Sequence, residues 1–166
     1  MKKVLVFLFV AVALIGLSCK SAPTTSGATI EGDVTQDKVN QALEKIYDAY
    51  FKKLDLSGAQ SYTVVQGDYL VQITQKYYGG LTGVGKAGTN NGFYFPLIML
   101  ASGNIIVDPD LIEPGMRLTI PDLKKNLANS GARKAIKNCL KDVSYIYNRK
   151  GESATEKGLV ALADSL

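Results

Sequence analysis

The residues best suited to chemistry are two carboxylates that flank a proline, Asp108 and Asp110. A close pair of acidic side chains could serve acid–base catalysis or bind Ca²⁺. Aspartate and proline in this order are also residue types that form turns. The sequence contains no histidine, so the commonest general base and metal ligand is missing. We therefore interpret the two carboxylates as turn residues, and we expect a protein that is not an enzyme and carries no metal or cofactor.

The two cysteines lie in different surroundings. Cys139 belongs to a helical pattern of apolar residues and is expected to be a small buried hydrophobe. Cys19 directly follows a leader in which two lysines precede residues 4–17, an unbroken run of apolar residues and glycine. This run is shorter than the roughly 20 residues of a transmembrane helix and is typical of a signal-peptide core. We interpret residues 1–18 as a signal peptide.

The cysteine after the leader, Cys19, is a candidate site of lipid attachment. Residues 15–19 (IGLSC) resemble a bacterial lipobox, which implies that a lipid on Cys19 anchors the mature chain to a membrane. Ordinary secretion or an uncleaved anchor are the alternatives. Residues 19–34 are rich in Ser, Thr, Gly, Ala and Pro, and we expect them to be a flexible tether. The predicted location is the bacterial cell envelope, on the periplasmic face or the cell surface.

The formal net charge is +4, and two of these charges belong to Lys2 and Lys3 of the leader. No run of basic residues alternates with aromatic residues, as a phosphate-binding surface would require. The charge therefore gives no reason to expect nucleic acid as a partner.

Hydrophobic periodicity divides the rest of the chain into three parts. Residues 35–58 have apolar side chains at helical spacing, with Thr35 or Asp37 as N-cap. Residues 61–121 are typical of strand, helix, glycine-rich loop, helix, loop and strand. Residues 122–166 are helical again. We interpret the outer helices as packing against the rest of the protein, and a surface for an envelope protein partner is the alternative.

The middle part resembles a LysM domain at both of its ends. Residues 62–70 (YTVVQGDYL) match the family's first strand and turn, and residues 108–121 (DPDLIEPGMRLTIP) match its closing segment. The resemblance implies an α+β fold, with a single βααβ module flanked by N- and C-terminal helices. In such a module two helices cover an antiparallel pair of strands. The expected core residues are Val64, Leu70, Ile73, Ile98, Leu111, Leu118 and Ile120.

The resemblance also implies a function. LysM modules bind glycans that contain N-acetylglucosamine, between the first strand–helix loop and the second helix–strand loop. One implied wall here consists of Gly67, Asp68, Tyr69 and Leu70. The other consists of Ile105, Ile106, Val107, Asp108, Pro109, Asp110, Leu111 and Ile112. The implied partner is peptidoglycan. We expect Asp68 to act mainly as a helix N-cap, and one of Leu111 and Ile112 to lie in the core and the other in the groove.

Three features depart from the family pattern. Tyr69 stands where Thr or Ser is usual, and it could stack on a sugar or block the groove. Ser102 stands where many members have Asn, and residues 79–92 form a longer loop that could act as an extra lip. The alternative function is therefore a structural or interaction lipoprotein whose degenerate module binds a protein partner or a small ion. A cell-wall hydrolase is the third hypothesis, but no histidine is present to form a nucleophile–base pair.

Overall fold

The computed structural model describes residues 24–86 and 88–166. The predicted signal peptide and Cys19 lie outside the described residues. Within these ranges the chain forms six α-helices and a two-stranded sheet, which confirms the α+β class. The elements in chain order are α1 (Gln36–Tyr50), β1 (Gln60–Thr63), α2 (Leu70–Tyr78), α3 (Phe95–Ala101), β2 (Arg117–Ile120), α4 (Leu123–Ala128), α5 (Ser130–Lys150) and α6 (Ser153–Ser165).

The sheet joins the two ends of the middle part of the chain. β1 and β2 are antiparallel, with Gln60 opposite Ile120 and Thr63 opposite Arg117. Val64 extends the pairing, because its carbonyl accepts a 2.9 Å hydrogen bond from the N–H of Gly115. Residues of β2 alternate between exposed and buried, as expected for a strand with one face against the core. The order strand, helix, helix, strand is therefore present over residues 60–120.

Helix α3 lies at the centre of the molecule. All of its residues (FPLIMLA) are buried, as is typical of a helix that is apolar on every side. It packs against α2 and β2 and also against α5. A two-stranded sheet is only marginally stable by itself, so the module shares its core with the C-terminal helices.

The flanking helices pack on one another and on the module. Thr35 caps α1, as predicted, by accepting a hydrogen bond from the N–H of Lys38. The helix ends at Tyr50, before the predicted end near residue 58, and a 3-10 turn follows at Phe51–Lys53. Helix α5 contacts α1, α3, α4 and α6 and ends at Gly151, whose φ of +80° favours glycine.

Residues 24–34 differ from the flexible tether that we expected. The N–H groups of Thr25 and Ser26 each donate a 2.8 Å hydrogen bond to the carboxylate of Asp142 in α5. Ala28 and Ile30 are buried in the core. Since Asp142 is more than 100 positions away along the chain, local composition gave no sign of this contact. The described part of the segment is therefore docked on α5.

Most of the predicted core is confirmed. Val64, Leu70, Ile73, Ile98, Leu118 and Ile120 are buried, whereas Leu111 is 58% exposed and does not belong to the core. Cys139 is buried, as predicted. Among the described helices, none has the length and apolar character needed to span a bilayer.

Candidate functional site

The loop before α2 and the loop before β2 face each other across one groove. Its cavity measures about 320 Å³ and is lined by Asp68, Tyr69, Leu70, Val71, Phe95, Pro109, Asp110, Ile112 and Tyr147. We call it the Asp68–Asp110 groove. The first four residues come from the loop before α2 and the start of that helix. Pro109, Asp110 and Ile112 come from the loop before β2, so the predicted juxtaposition of the two loops is present.

A tight turn builds the first wall. Gly67 has a φ of +89°, which favours glycine, and the N–H of Asp68 donates back to the carbonyl of Val65 at 3.1 Å. Oδ2 of Asp68 accepts hydrogen bonds from the N–H of Val65 at 2.9 Å and from the hydroxyl of Tyr62 at 2.8 Å. These bonds hold the turn against β1 and lower the pKa of Asp68.

The expected role of Asp68 as helix N-cap is wrong. The N-cap of α2 is Tyr69, and no side chain caps the helix there. The carboxylate of Asp68 is turned backwards, because it accepts hydrogen bonds from residues that precede it in the chain. Asp68 therefore stabilises the loop rather than the helix.

Tyr69 is the most exposed aromatic side chain at the groove. It is 66% exposed, whereas the neighbouring Leu70 is buried at the cavity edge. An exposed ring beside an apolar surface is suited to stacking on the apolar face of a ring-shaped ligand. The cavity remains open with Tyr69 in place, so the ring lines the groove and does not fill it.

The second wall contains the two carboxylates that flank Pro109. Asp108 is buried, and its Oδ1 accepts a 2.9 Å hydrogen bond from the N–H of Asp110. Its Oδ2 accepts a 2.8 Å hydrogen bond from the side-chain amide of Gln36 in α1. Asp108 is therefore a turn residue, as predicted, and it does not line the groove cavity.

Asp110 has a second role, which the turn interpretation did not include. It lines the groove, and its Oδ1 accepts a 2.6 Å hydrogen bond from the hydroxyl of Tyr147 in α5. Its Oδ2 is in contact with the ammonium group of Lys150. The same ammonium group lies 3.8 Å from Asp108 and 3.7 Å from Glu152. Burial lowers the pKa of Lys150, but the three carboxylates outweigh it and the pKa is raised.

Several predicted groove residues lie elsewhere. Ile106 and Val107 line a different cavity of about 380 Å³ next to α1, which we call the α1 cavity. Asp108 is buried. Ile105 and Leu111 are exposed outside the groove lining, and so is Gly67. The reason is that the chain after α3 passes α1 first, and only its last part, from Pro109, reaches the groove.

Leu111 and Ile112 do not divide between core and groove as expected. Ile112 does both, since it packs on the core edge and lines the cavity, and Leu111 does neither. Sequence reasoning also missed Val71, Phe95 and Tyr147 in the lining. The rings of Phe95 and Tyr147 meet edge to face with centroids 5.7 Å apart. The LysM resemblance implied no residue of the C-terminal helices at the groove.

The other two departures from the LysM pattern lie away from the groove. The hydroxyl of Ser102 accepts a 3.1 Å hydrogen bond from the N–H of Thr119 in β2, so it joins α3 to the sheet. The loop of residues 79–92 packs towards α6, where Gly85 lies near Ser165 and Leu162. None of its described residues line the groove, so they form no extra lip.

The lining determines what the groove can bind. It combines apolar and aromatic surface with two carboxylates, and none of the residues that line it is basic. Such a surface suits a neutral ligand that offers hydroxyl or amide donors and apolar faces. Among the described residues, no group of three or more acidic, Cys or His side chains could hold a metal ion. Comparisons with protein-family models, curated proteins and solved structures found no match to the chain.

Proposed function

We propose that this protein is a non-catalytic lipoprotein of the bacterial cell envelope that binds peptidoglycan glycan in the Asp68–Asp110 groove. The observation that carries the proposal is that the loop before α2 and the loop before β2, far apart in sequence, line one cavity of about 320 Å³. These are the loops that the LysM resemblance implies for recognition of N-acetylglucosamine. This juxtaposition and the chemistry of the lining support the proposal.

The chemistry of the groove fits a neutral N-acetylated sugar. The acetamide methyl and the faces of the sugar ring need apolar contacts, which Tyr69, Leu70 and Ile112 offer. The sugar hydroxyls and the amide N–H are donors, and carboxylates are acceptors only. A groove with carboxylates and no lining cation therefore favours a donor-rich, uncharged ligand over an acidic one.

The proposed lipid on Cys19 would place this groove close to a membrane. Thr25 is bonded to the folded body, and five residues, 20–24, lie between it and the proposed lipidated cysteine in the sequence. The six intervals from Cys19 to Thr25 span at most about 22 Å. The anchor therefore restricts the glycan that the groove can reach to the layer next to the membrane surface.

Sedimentation with insoluble peptidoglycan tests the proposed function. The full chain in mild detergent should sediment with purified sacculi, and Tyr69→Ala should reduce the bound fraction severalfold. Leu111→Ala is the matched control, because Leu111 is also exposed on one of these loops but does not line the groove. A wild-type chain that stays in the supernatant would contradict glycan binding, and equal losses in both variants would contradict the assignment of the groove.

The second candidate is an interaction lipoprotein whose module no longer binds glycan. The α1 cavity supports it, since Leu43, Met99 and Ile106 give it an apolar surface and Glu44 and Asp48 add negative charge. A basic segment of an envelope protein would fit this chemistry. If neither the wild-type chain nor Tyr69→Thr sediments with sacculi, this second candidate becomes the better explanation.

A further inference from the structure

We infer that Asp110 accepts hydrogen bonds from glycan hydroxyls, and that Tyr147 and Lys150 of α5, outside the LysM-like module, hold it in position for this. The inference rests on the proposed function and deepens it, because it makes the C-terminal helix part of the binding site. The module alone, residues 61–121, would then be an incomplete site.

The geometry around Asp110 is the first support. The Tyr147 hydroxyl donates to Oδ1 at 2.6 Å, and the Lys150 ammonium group contacts Oδ2. A carboxylate has about four acceptor positions, so these two contacts leave others free. The Asp110 side chain is 40% exposed and lines the groove, so its free acceptor positions are accessible to a ligand.

The two partners from α5 are fixed themselves. Tyr147 is 3% exposed, and its ring packs edge to face on Phe95 of the central helix α3. Burial and the neighbouring Asp110 raise the pKa of Tyr147, so its hydroxyl keeps its proton. A phenol has one proton to donate, and this one is committed to Asp110. Lys150 also lies over the Tyr147 ring, with its nitrogen 5.0 Å from the centroid.

The neighbouring acids leave Asp110 as the available acceptor on this wall. Asp108 is buried and accepts from Gln36 and from the N–H of Asp110. On the opposite wall, Oδ2 of Asp68 already accepts from Tyr62 and Val65. A hydrogen bond from a sugar hydroxyl to an ionised carboxylate is roughly twice as strong as one between neutral groups. Asp110 is therefore the carboxylate of this wall that can offer a charged acceptor to a neutral glycan hydroxyl.

Titration calorimetry with the β-1,4-linked tetramer of N-acetylglucosamine tests the inference on the full chain in mild detergent. Asp110→Asn should raise the dissociation constant about tenfold, because a hydrogen bond to a charged group is lost. Tyr147→Phe keeps the ring and removes the hydroxyl, and it should raise the dissociation constant severalfold. Tyr145→Phe is the matched control, because its hydroxyl lies on the same helix but bonds to Ile30.

A double-mutant cycle separates positioning from general destabilisation. If Tyr147 acts through Asp110, Tyr147→Phe should weaken binding in the wild-type background and have no further effect in the Asp110→Asn background. Equal affinity of Tyr147→Phe and wild type would overturn the inference and leave the proposed function intact. If the wild-type chain binds neither the tetramer nor sacculi, the proposed function fails, and the inference fails with it.

Discussion

The hydroxyl of Tyr50, at the end of α1, donates a 2.8 Å hydrogen bond to Oδ2 of Asp142 in the middle of α5. Both side chains are buried. The same carboxylate accepts the two backbone hydrogen bonds from Thr25 and Ser26. Burial and the nearby Asp142 raise the pKa of Tyr50, so the phenol remains a donor. One acidic side chain thus joins the N-terminal segment, α1 and α5.

We predict that Asp142→Ala strongly destabilises the protein. The substitution removes three hydrogen bonds to a charged acceptor and leaves their donors without it, which should lower the free energy of unfolding by about 3 kcal/mol. Urea unfolding followed by circular dichroism measures this difference. Asp164→Ala is the control, since Asp164 of α6 forms an exposed ion pair with Lys141 of α5 at 3.3 Å.

The control should change the free energy of unfolding by about 0.5 kcal/mol or less, because exposed ion pairs contribute little. If Asp142→Ala costs no more than Asp164→Ala, the carboxylate does not join the three segments as the structure shows.

Features that depend on neighbouring residues could be predicted from the sequence. Thr35 has the residue type and position of an N-cap and serves as one. The last strand expected within residues 61–121 is present as β2. The second helix expected within the same range is present as α3. Each of these follows from local periodicity and turn residues.

Features that depend on distant partners could not be predicted. Residues 24–34 have a linker-like composition, and they dock through contacts with distant residues, among them the carboxylate of Asp142 and the hydroxyl of Tyr145. Asp68 has a side chain suited to capping, but the hydroxyl of Tyr62 and the N–H of Val65 compete for it. Ile106 and Val107 turn to the α1 cavity because α1 covers that part of the loop. For residues 24–34 and for Ile106 and Val107, tertiary contacts outweigh the local preference, whereas Asp68 is held by partners three and six residues before it.

Asp68 should make the stability of the protein depend on pH in the acidic range. Its pKa in the folded state is lowered, first by the hydrogen bond from the N–H of Val65 and then by the hydroxyl of Tyr62. A lowered pKa means that the ionised group stabilises the fold above its unfolded pKa of about 3.9. This stabilisation is lost as the pH falls through the folded pKa.

Urea midpoints measured from pH 7 down to pH 2 test this dependence. Wild type should be more stable than Asp68→Asn above about pH 4, and the difference should shrink at lower pH. Asp55→Asn serves for comparison. The pKa of Asp55 is also lowered, by hydrogen bonds from Ser57, but Asp55 lies outside the groove. A difference between wild type and Asp68→Asn that stays constant with pH would show that the carboxylate is not stabilised in its charged form.

Replacing Gly158 of α6 by alanine should destabilise the protein, although this substitution usually stabilises a helix. Alanine in place of glycine stabilises an ordinary helix by about 1 kcal/mol. A Cβ atom at position 158 would lie 2.2 Å from Cζ of Phe93, so either the Phe93 ring or helix α6 must move. We predict that Gly158→Ala lowers the free energy of unfolding by about 1–3 kcal/mol.

Removing the ring tests the cause of this loss. In the Phe93→Ala background, Gly158→Ala should cost little or should stabilise, because the colliding atoms are gone. Urea unfolding of the wild type, both single variants and the double variant gives the coupling between the two positions. Additive effects would mean that α6 does not pack on Phe93.

Salt should distinguish binding in the groove from non-specific electrostatic adsorption of a basic protein to an acidic cell wall. The formal net charge is +4, or +2 without Lys2 and Lys3 of the leader, so non-specific attraction is a competitor. Attraction between exposed charges is screened over about 10 Å at 0.1 M salt and over about 3 Å at 1 M. Contacts of a neutral sugar with Tyr69, Ile112 and Asp110 do not depend on such long-range attraction.

We predict that the bound fraction in the sedimentation assay changes less than about twofold between 0.1 M and 1 M NaCl, and that Tyr69→Ala remains defective at both concentrations. Release of the wild-type chain at 1 M NaCl would mean that charge, and not the groove, holds it on peptidoglycan.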